Sequence, residues 1–141
     1  VACRCGGCGS RLAGRCRGEV GGGQGSLFHA SCAGVSLGRL AGSQPGAFVV
    51  SHGPTRTTMR NGQHPIPAIR EVIDATISSG KLTNPAIRCV GIAVNTAKLD
   101  EAEAKAFCKD TALEYGLPAT DPVRFGVEDI VGRLLKEFPA Q

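Results

Sequence analysis

Two histidines lie where a side chain could move a proton at neutral pH. His52 ends the apolar run 47–52, and His29 follows a glycine-rich run at 21–25. An imidazole titrates near neutrality, so it can act as a general base without a strongly shifted pKa. We expect His52 to be the catalytic base, with His29 as the second candidate and His64 as a loop residue. The alternative for His52 is that it only closes a loop by hydrogen bonding.

A group of arginines and neighbouring polar residues could hold a small anionic substrate. The guanidinium of arginine matches a carboxylate or a phosphate through two parallel hydrogen bonds. A hydroxyl beside such an arginine adds a donor, and a carboxylate can orient the guanidinium. Taken singly, each arginine is explained as well by solvent exposure or a surface salt bridge. We expect these residues to bind the substrate: Thr55, Arg56, Arg60, Asp121 and Arg124.

The glycine-rich stretch GGGQGS at 21–26 is a candidate for binding the phosphates of a cofactor. Glycine permits a positive φ and a close approach of the backbone to a ligand. A nucleotide-binding P-loop would end in Gly-Lys-Ser or Gly-Lys-Thr, and the sequence contains neither. We therefore expect no ATP or Mg²⁺ chemistry in this chain.

The composition limits the class of protein. A chain of 141 residues has room for one domain with a core. Since it has no tryptophan and few aromatic residues, that core must consist of Ile, Val, Leu and Ala, as in sheets covered by helices. The net charge of +4 comes from scattered basic residues, so we expect no nucleic-acid partner. No apolar run approaches the roughly 20 residues of a membrane helix, so we expect a soluble protein.

Four of the seven cysteines lie within residues 1–20. Cys5 and Cys8 have the spacing of half a zinc site, but no second pair follows, so the sequence leaves metal binding open for Cys3, Cys5, Cys8 and Cys16. The segment 1–20 contains few large apolar residues, and we expect it to be irregular or disordered. The odd number of cysteines is typical of a reducing compartment, so we expect a cytoplasmic location.

Apolar periodicity predicts the elements that position the polar residues. β-branched apolar runs predict strands, and apolar residues at helical spacing predict helices. Asp100, with Glu103 three residues later, predicts a capping box. In chain order we expect a strand at 47–52, a helix at 65–80, a strand at 87–96, a helix at 100–116, a short strand at 117–120 and a helix at 126–138.

This alternation of elements is typical of an α/β fold, a parallel sheet with flanking helices. Ligands of such sheets bind at the carboxyl ends of the strands. The sequence therefore predicts that one edge of the sheet gathers five polar residues: His52, Arg56, Asn95, Asp121 and Arg124.

An ordered series of motifs resembles one bacterial family. The motifs are GQGSLFHAS, GVSLG, GSQP, AFVVSHGPTRTTMR, LTNPAIRCVGIAVNT and GLPATDPVRFGV, which lie between residues 21 and 135. They are similar to the C-terminal domain of a family that includes D-glutamate N-acetyltransferases. The fold of that family is similar to that of P-loop NTPases of the dethiobiotin synthetase type. The resemblance implies an α/β domain of this lineage that lacks the nucleotide-binding P-loop.

The resemblance also implies an activity and a cofactor. Members that are acetyltransferases move the acetyl group of acetyl-CoA to the amino group of D-glutamate, a reaction of D-amino-acid metabolism. The glycine run resembles the second glycine turn of the related NTPases. The end of the second long strand resembles the position that reads a nucleotide base, here the adenine of coenzyme A. The implied cofactor-binding residues are Gly23, Gln24, Gly25, Ser26, Asn95 and Thr96.

The sequence departs from the family in two places. Gly22 stands where the family has a glutamate, which helps to order a metal in the related NTPases. The P-loop and the N-terminal domain have no counterpart here, so the resemblance implies that 21–141 is the C-terminal part of a longer enzyme. Two alternatives stay open: a nucleotide-binding or ligase-type ATPase domain, and an inactive fragment that assembles with a partner chain. We also expect that copies of the chain can form a homo-oligomer.

Overall fold

The fold is taken from a computed structural model that describes residues 2–3, 19–20, 26–59 and 64–139, the first two ranges by their backbone only. The chain divides into two compact units, Val1–Phe48 with Ile73–Arg88, and Val49–Val72 with Cys89–Gln141. The described elements are β1 (Ala2–Cys3), β2 (Glu19–Val20), α1 (Ala33–Ser43), β3 (Pro45–His52), α2 (Ile69–Gly80), β4 (Arg88–Val94), α3 (Glu101–Tyr115), β5 (Ala119–Thr120) and α4 (Glu128–Glu137).

The first unit contains two short antiparallel strands. β2 pairs with β1, and β1 pairs with the start of β3, where Ala2 lies opposite Ala47 and Cys3 opposite Pro45. Both β1 and β2 come from the segment 1–20, in which the sequence predicts no strand. The rest of that segment lies outside the described residues, so the expectation of irregular chain there stays a prediction.

α1 is a helix that the apolar periodicity does not predict. Gly34, Gly38 and Gly42 repeat along it at four-residue spacing, and nothing lies within 4 Å of the positions that their Cβ atoms would take. Each glycine lowers helix propensity by about 1 kcal/mol relative to alanine. Leu40, by contrast, is buried. Packing of this apolar residue must therefore stabilise α1 against the preference of its own sequence.

The second unit contains the parallel part of the sheet. The end of β3 lies beside β4 and β4 beside β5, and these three strands are parallel, with Ile92 opposite Ala119. Val90, Ile92 and Val94 are at most 2% exposed. This burial fits the unbroken apolar run of β4, which is typical of a strand covered on both faces. The predicted α/β fold with a parallel sheet and flanking helices is confirmed.

α3 and α4 pack against β5. α3 begins with the predicted capping box: the Asp100 carboxylate accepts from Glu103 N at 2.8 Å, and the Glu103 carboxylate accepts from Asp100 N at 3.1 Å. α4 approaches β4 at Gly91, where a Cβ atom would lie only 2.8 Å from Ile130 Cγ1. A glycine at this position therefore lets the helix pack closely on the strand.

Element boundaries differ from the predicted ones by a few residues. β3 begins at Pro45, two residues early, and α2 begins at Ile69, four residues late. The late start has a local reason, because Pro65 takes part in a β-bridge with Thr58 ahead of the helix. None of the helices in the described part of the chain is both long and apolar enough to cross a membrane.

Candidate functional site

In the second unit, the ends of the three parallel strands are joined by hydrogen bonds. Asn95 N donates to His52 O at 2.8 Å, which joins the end of β3 to the residue after β4. Thr96 N donates to Asp121 Oδ2 at 2.9 Å, which joins the loop after β4 to the residue after β5. Arg124 follows in the turn that Asp121 begins. The structure thus brings His52, Asn95, Asp121 and Arg124 to one edge of the sheet.

His52 is half-buried at the end of β3. Its ring stacks on the ring of Phe107 in α3, with centroids 6.1 Å apart and planes inclined by 10°. Burial lowers the pKa of His52 below the usual value of imidazole, because the charged form loses hydration. The imidazole is therefore neutral at pH 7 and able to accept a proton. No pattern in the sequence indicates Phe107 as the partner.

The segment after β3 forms a turn and then a short antiparallel ladder. Arg56 N donates to Gly53 O at 3.1 Å, and both Thr55 and Arg56 are exposed. Farther on, Met59 N donates to His64 O at 2.9 Å, so His64 is a loop residue within this ladder, as predicted. The polar side chains of the turn face solvent, where an anion can reach them. Arg60 lies outside the described residues, and its expected role stays a prediction.

Asp121 is buried and accepts four hydrogen bonds. Oδ2 accepts from Thr96 N at 2.9 Å and from Thr96 Oγ1 at 2.5 Å, and Oδ1 accepts from Val123 N at 2.9 Å and Arg124 N at 3.3 Å. Burial by itself would raise the pKa of Asp121, but these donors outweigh it and hold the pKa below its usual range. The carboxylate is ionised at neutral pH, and both of its oxygens are occupied by protein donors.

Thr96 is fully buried, so its side chain serves Asp121 and does not reach the surface. Asn95, its neighbour, is exposed, and Asn95 Oδ1 accepts from Ala97 N at 3.1 Å in a tight turn. Of the two residues expected to contact a cofactor after β4, only Asn95 presents its side chain to solvent. The sequence placed both at the strand end but could not distinguish the buried one from the exposed one.

Arg124 is exposed and reaches back to the loop before α3. Its Nη1 donates to Leu99 O at 3.0 Å and lies 3.5 Å from Asp100 O. Two main-chain carbonyls therefore fix one end of the guanidinium while the side chain stays accessible. A guanidinium held in this way can bind a carboxylate through its remaining N–H groups.

The turn before α1 lies in the first unit and carries His29 and Ser26. Ser31 Oγ lies 2.8 Å from His29 Nδ1, and Phe28 N donates to Ser26 Oγ at 3.1 Å. Ser26 N also donates to the Cys32 thiol at 3.5 Å. These contacts close the turn on itself. Gly23, Gln24 and Gly25 lie outside the described residues, so their role in cofactor binding stays a prediction.

The described residues contain no metal-binding cluster of side chains, and the two buried thiols among them are protonated. No group of three or more His, Cys, Asp or Glu side chains is arranged to hold a metal within 26–59 and 64–139. Burial raises the pKa of Cys89 and of Cys108, so both thiols stay protonated at neutral pH. The side chains of the four N-terminal cysteines are not among those described, and metal binding by them stays open.

Comparison with known proteins establishes the family. A family model described as a domain of unknown function (DUF1611_C), P-loop domain, matches residues 20–131. The chain belongs to this family. A DUF1611 family protein from Anabaena variabilis ATCC 29413, known from its crystal structure, superposes with a TM-score of 0.74 at 38% identity, covering 81% of this chain and 34% of that one. The predicted family and its P-loop-like α/β fold are confirmed.

Two curated relatives of this chain carry a functional name. D-glutamate N-acetyltransferase from Pseudoalteromonas sp is 45% identical over 113 residues, and the enzyme of the same name from Tritonibacter scottomollicae is 42% identical over 113 residues. Each comparison covers 79% of this chain and 34% of the relative. The chain therefore spans about a third of the length of these relatives.

Proposed function

We propose that this DUF1611 domain serves in the transfer of an acetyl group from acetyl-CoA to the amino group of D-glutamate. The observation that carries the proposal is the identity of 45% and 42% to two D-glutamate N-acetyltransferases. The family match at 20–131 includes all three strand ends of the candidate site. We place the reaction in D-amino-acid metabolism in the cytoplasm, in keeping with the free thiols of Cys32, Cys89 and Cys108.

The reaction needs a base, because the ammonium group of an amino acid must lose a proton before its nitrogen can attack a thioester. In this proposal His52 accepts that proton, since burial keeps its imidazole neutral at pH 7. The new N–C bond then forms at the acetyl carbonyl and the C–S bond to coenzyme A breaks. The second proton of the attacking nitrogen ends on the departing sulfur, so coenzyme A leaves as the free thiol, and the proton held by His52 passes to solvent.

The substrate has two carboxylates and the cofactor has phosphates, so the site needs cations and donors. Arg124, fixed by two carbonyls and exposed, is suited to one substrate carboxylate. Arg56 and Thr55, exposed in the turn after β3, and Arg60 would supply further contacts with the substrate. Asn95, exposed after β4, would contact acetyl-CoA. The expected roles of Gly23, Gln24, Gly25 and Ser26 in cofactor binding stay predictions.

The direct test is release of free thiol when the protein is incubated with acetyl-CoA and D-glutamate. Thiol release with D-glutamate, and much less with L-glutamate or with no amino acid, is expected. Absence of release both from this chain and from a longer protein that contains it would overturn the proposal. Release from the longer protein alone would favour the alternative that this chain is an inactive fragment.

A nucleotide-binding or ligase-type ATPase domain is the second candidate, because the family model describes a P-loop domain. The sequence of this chain has no Gly-Lys-Ser/Thr motif to hold the β and γ phosphates. A rise in melting temperature with ATP and Mg²⁺, but none with acetyl-CoA, would favour this candidate over the transferase.

A further inference from the structure

Asp121 joins two loops that are far apart in the sequence. On one oxygen it accepts two hydrogen bonds from Thr96, in the loop after β4, and on the other it accepts the N–H groups of Val123 and Arg124, in the turn after β5. An ionised carboxylate that accepts from two donors at each oxygen has little capacity left for a ligand. Its contacts fit the role of holding the loops together better than that of touching a substrate.

Arg124 also joins these two loops, with a side chain that starts in the turn after β5. Its guanidinium leaves the turn after β5 and donates to Leu99 O, at the end of the loop after β4. We name the three linked side chains, Thr96, Asp121 and Arg124, the strand-end bracket. Because one link starts from the β4 loop and the other from the β5 turn, neither loop can move without breaking a hydrogen bond of the bracket.

The bracket leaves the positive charge of Arg124 available. Asp121 is satisfied by main-chain N–H groups and by a hydroxyl, and its bond to Arg124 goes to the main-chain nitrogen, not to the guanidinium. The charge of Arg124 helps to lower the pKa of Glu101, but this carboxylate is exposed and is already paired with Lys105 at 2.5 Å. A fixed cation that is bonded to no buried carboxylate among the described residues is suited to an external anion.

We propose that Thr96 and Asp121 are positioning residues, which hold the Arg124 guanidinium in place for a carboxylate of the substrate. This inference rests on the proposed function for the identity of the anion. It changes the expected role of Thr96 and Asp121 from direct contact with ligands to support of Arg124. A long, flexible arginine loses conformational freedom when it binds, so fixing it beforehand strengthens binding.

The test removes one hydroxyl from the bracket without changing the shape of the side chain. Thr96→Val lacks the Oγ1 donor to Asp121, Thr96→Ser keeps it, and Thr111→Val removes another buried threonine hydroxyl from α3 as the matched control. Binding of D-glutamate is measured by calorimetry. We expect Thr96→Val to weaken binding about 10-fold, as is typical when an outer support of a binding group is lost. Thr96→Ser should restore most of the affinity, and Thr111→Val should leave it as in the wild type.

A double-mutant cycle shows whether Thr96 acts through Arg124. In an Arg124→Met background, Thr96→Val should weaken binding by less than about 2-fold, because the group that it supports is gone. A full additional 10-fold loss in that background would overturn the proposal. So would wild-type affinity in Thr96→Val.

A second measurement separates this proposal from the proposed function. The order of the Arg124 side chain, read from ¹⁵Nε relaxation, should fall in Thr96→Val but not in Thr96→Ser or Thr111→Val. If D-glutamate binds no variant and not the wild type, the proposed substrate is overturned, while the relaxation result still decides whether Thr96 positions Arg124. Unchanged order in Thr96→Val would overturn the positioning role whatever the substrate.

Discussion

The turn before α1 and the strand-end bracket each combine polar side chains, but their contacts differ in range. In the turn, Ser26, His29 and Cys32 contact residues two to six positions away. In the bracket, Thr96 and Asp121 meet across 25 positions. A short-range turn can form from its own segment, whereas the bracket exists only when β4 and β5 are paired. We therefore expect substitutions in the bracket and around it to have larger effects than substitutions in the turn.

The largest expected difference concerns the two candidate bases. His52→Asn should reduce the rate of thiol release by about 10²–10⁴-fold, the usual contribution of a general base, while His29→Asn should change it by less than about 3-fold. Burial lowers the pKa of His52, so activity of the wild type should fall only as the pH drops through a value below the usual imidazole range. Equal losses in the two variants would contradict the distinction between the regions.

Asp121→Asn should cause the next largest effect, on stability. The amide nitrogen would face two N–H or O–H donors inside the protein, which costs about 2–4 kcal/mol of unfolding free energy. Urea denaturation measures the loss, and Ser26→Ala in the turn, expected at about 1 kcal/mol or less, is the control. An equal loss of stability in Ser26→Ala would show that the sequence range of the contacts does not explain the difference in stability between the two regions.

The same pair of proteins, wild type and Asp121→Asn, makes a prediction about pH. The pKa of Asp121 is lower in the folded chain than in the unfolded chain, so its contribution is present above the ordinary aspartate pKa. It is lost as the pH falls through the lowered folded value. The stability difference between the two proteins should therefore narrow in acid, and a difference that is constant with pH would contradict the ionised state of Asp121.

Arg124→Ala and Arg56→Ala test the anion site within the second unit. Each should weaken binding of a dicarboxylate by about 1–3 kcal/mol if its guanidinium holds the charge directly. Because Arg124 is held by two carbonyls and Arg56 has no such contact among the described hydrogen bonds, we expect the larger loss for Arg124. Calorimetry with D-glutamate measures both, and wild-type affinity in both variants would remove them from the site.

The smallest expected effects are those of two glycine-to-alanine substitutions, which should change stability in opposite directions. Gly91→Ala would place a methyl group against Ile130 and should destabilise the protein by about 1–3 kcal/mol through overpacking. Gly34→Ala, on the open side of α1, should stabilise it by about 0.5–1 kcal/mol through helix propensity. Thermal unfolding of both variants decides the point, and the same sign for both would be inconsistent with the described packing.

The elements with a strong local pattern could be predicted from the sequence. The apolar run of β4 and the pair Asp100 and Glu103 both predicted what the structure contains. α1 could not be predicted, because Gly34, Gly38 and Gly42 oppose a helix, and burial of Leu40, which favours it, is visible only in the fold. β1 and β2 were also missed, since strands of two residues carry no periodicity.

The sequence predicted the sheet edge at which the candidate site lies, but not the roles of Thr96 and Asp121 within it. Placing polar residues after strands needs only the order of the elements, and the strand ends do meet at one edge. Burial of Thr96 and its pairing with Asp121 depend on the pairing of β4 with β5. The spacing of residues within either segment does not reveal this pairing. Asp121 before Pro122 was the one available signal, because this residue pair often begins a turn.

The two attachments of the loop after β4 restrict how its sequence can change in related proteins. At one end of this loop Thr96 donates to Asp121. At the other end the carbonyls of Leu99 and Asp100 accept from the Arg124 guanidinium, so the segment between the two ends has a fixed length. Insertions or deletions between positions 96 and 100 would separate the hydroxyl from the carbonyls that complete the link. Homologues that keep this length, together with threonine, aspartate and arginine at these positions, are expected to share the same ligand geometry, even where the turn after β3 varies in length.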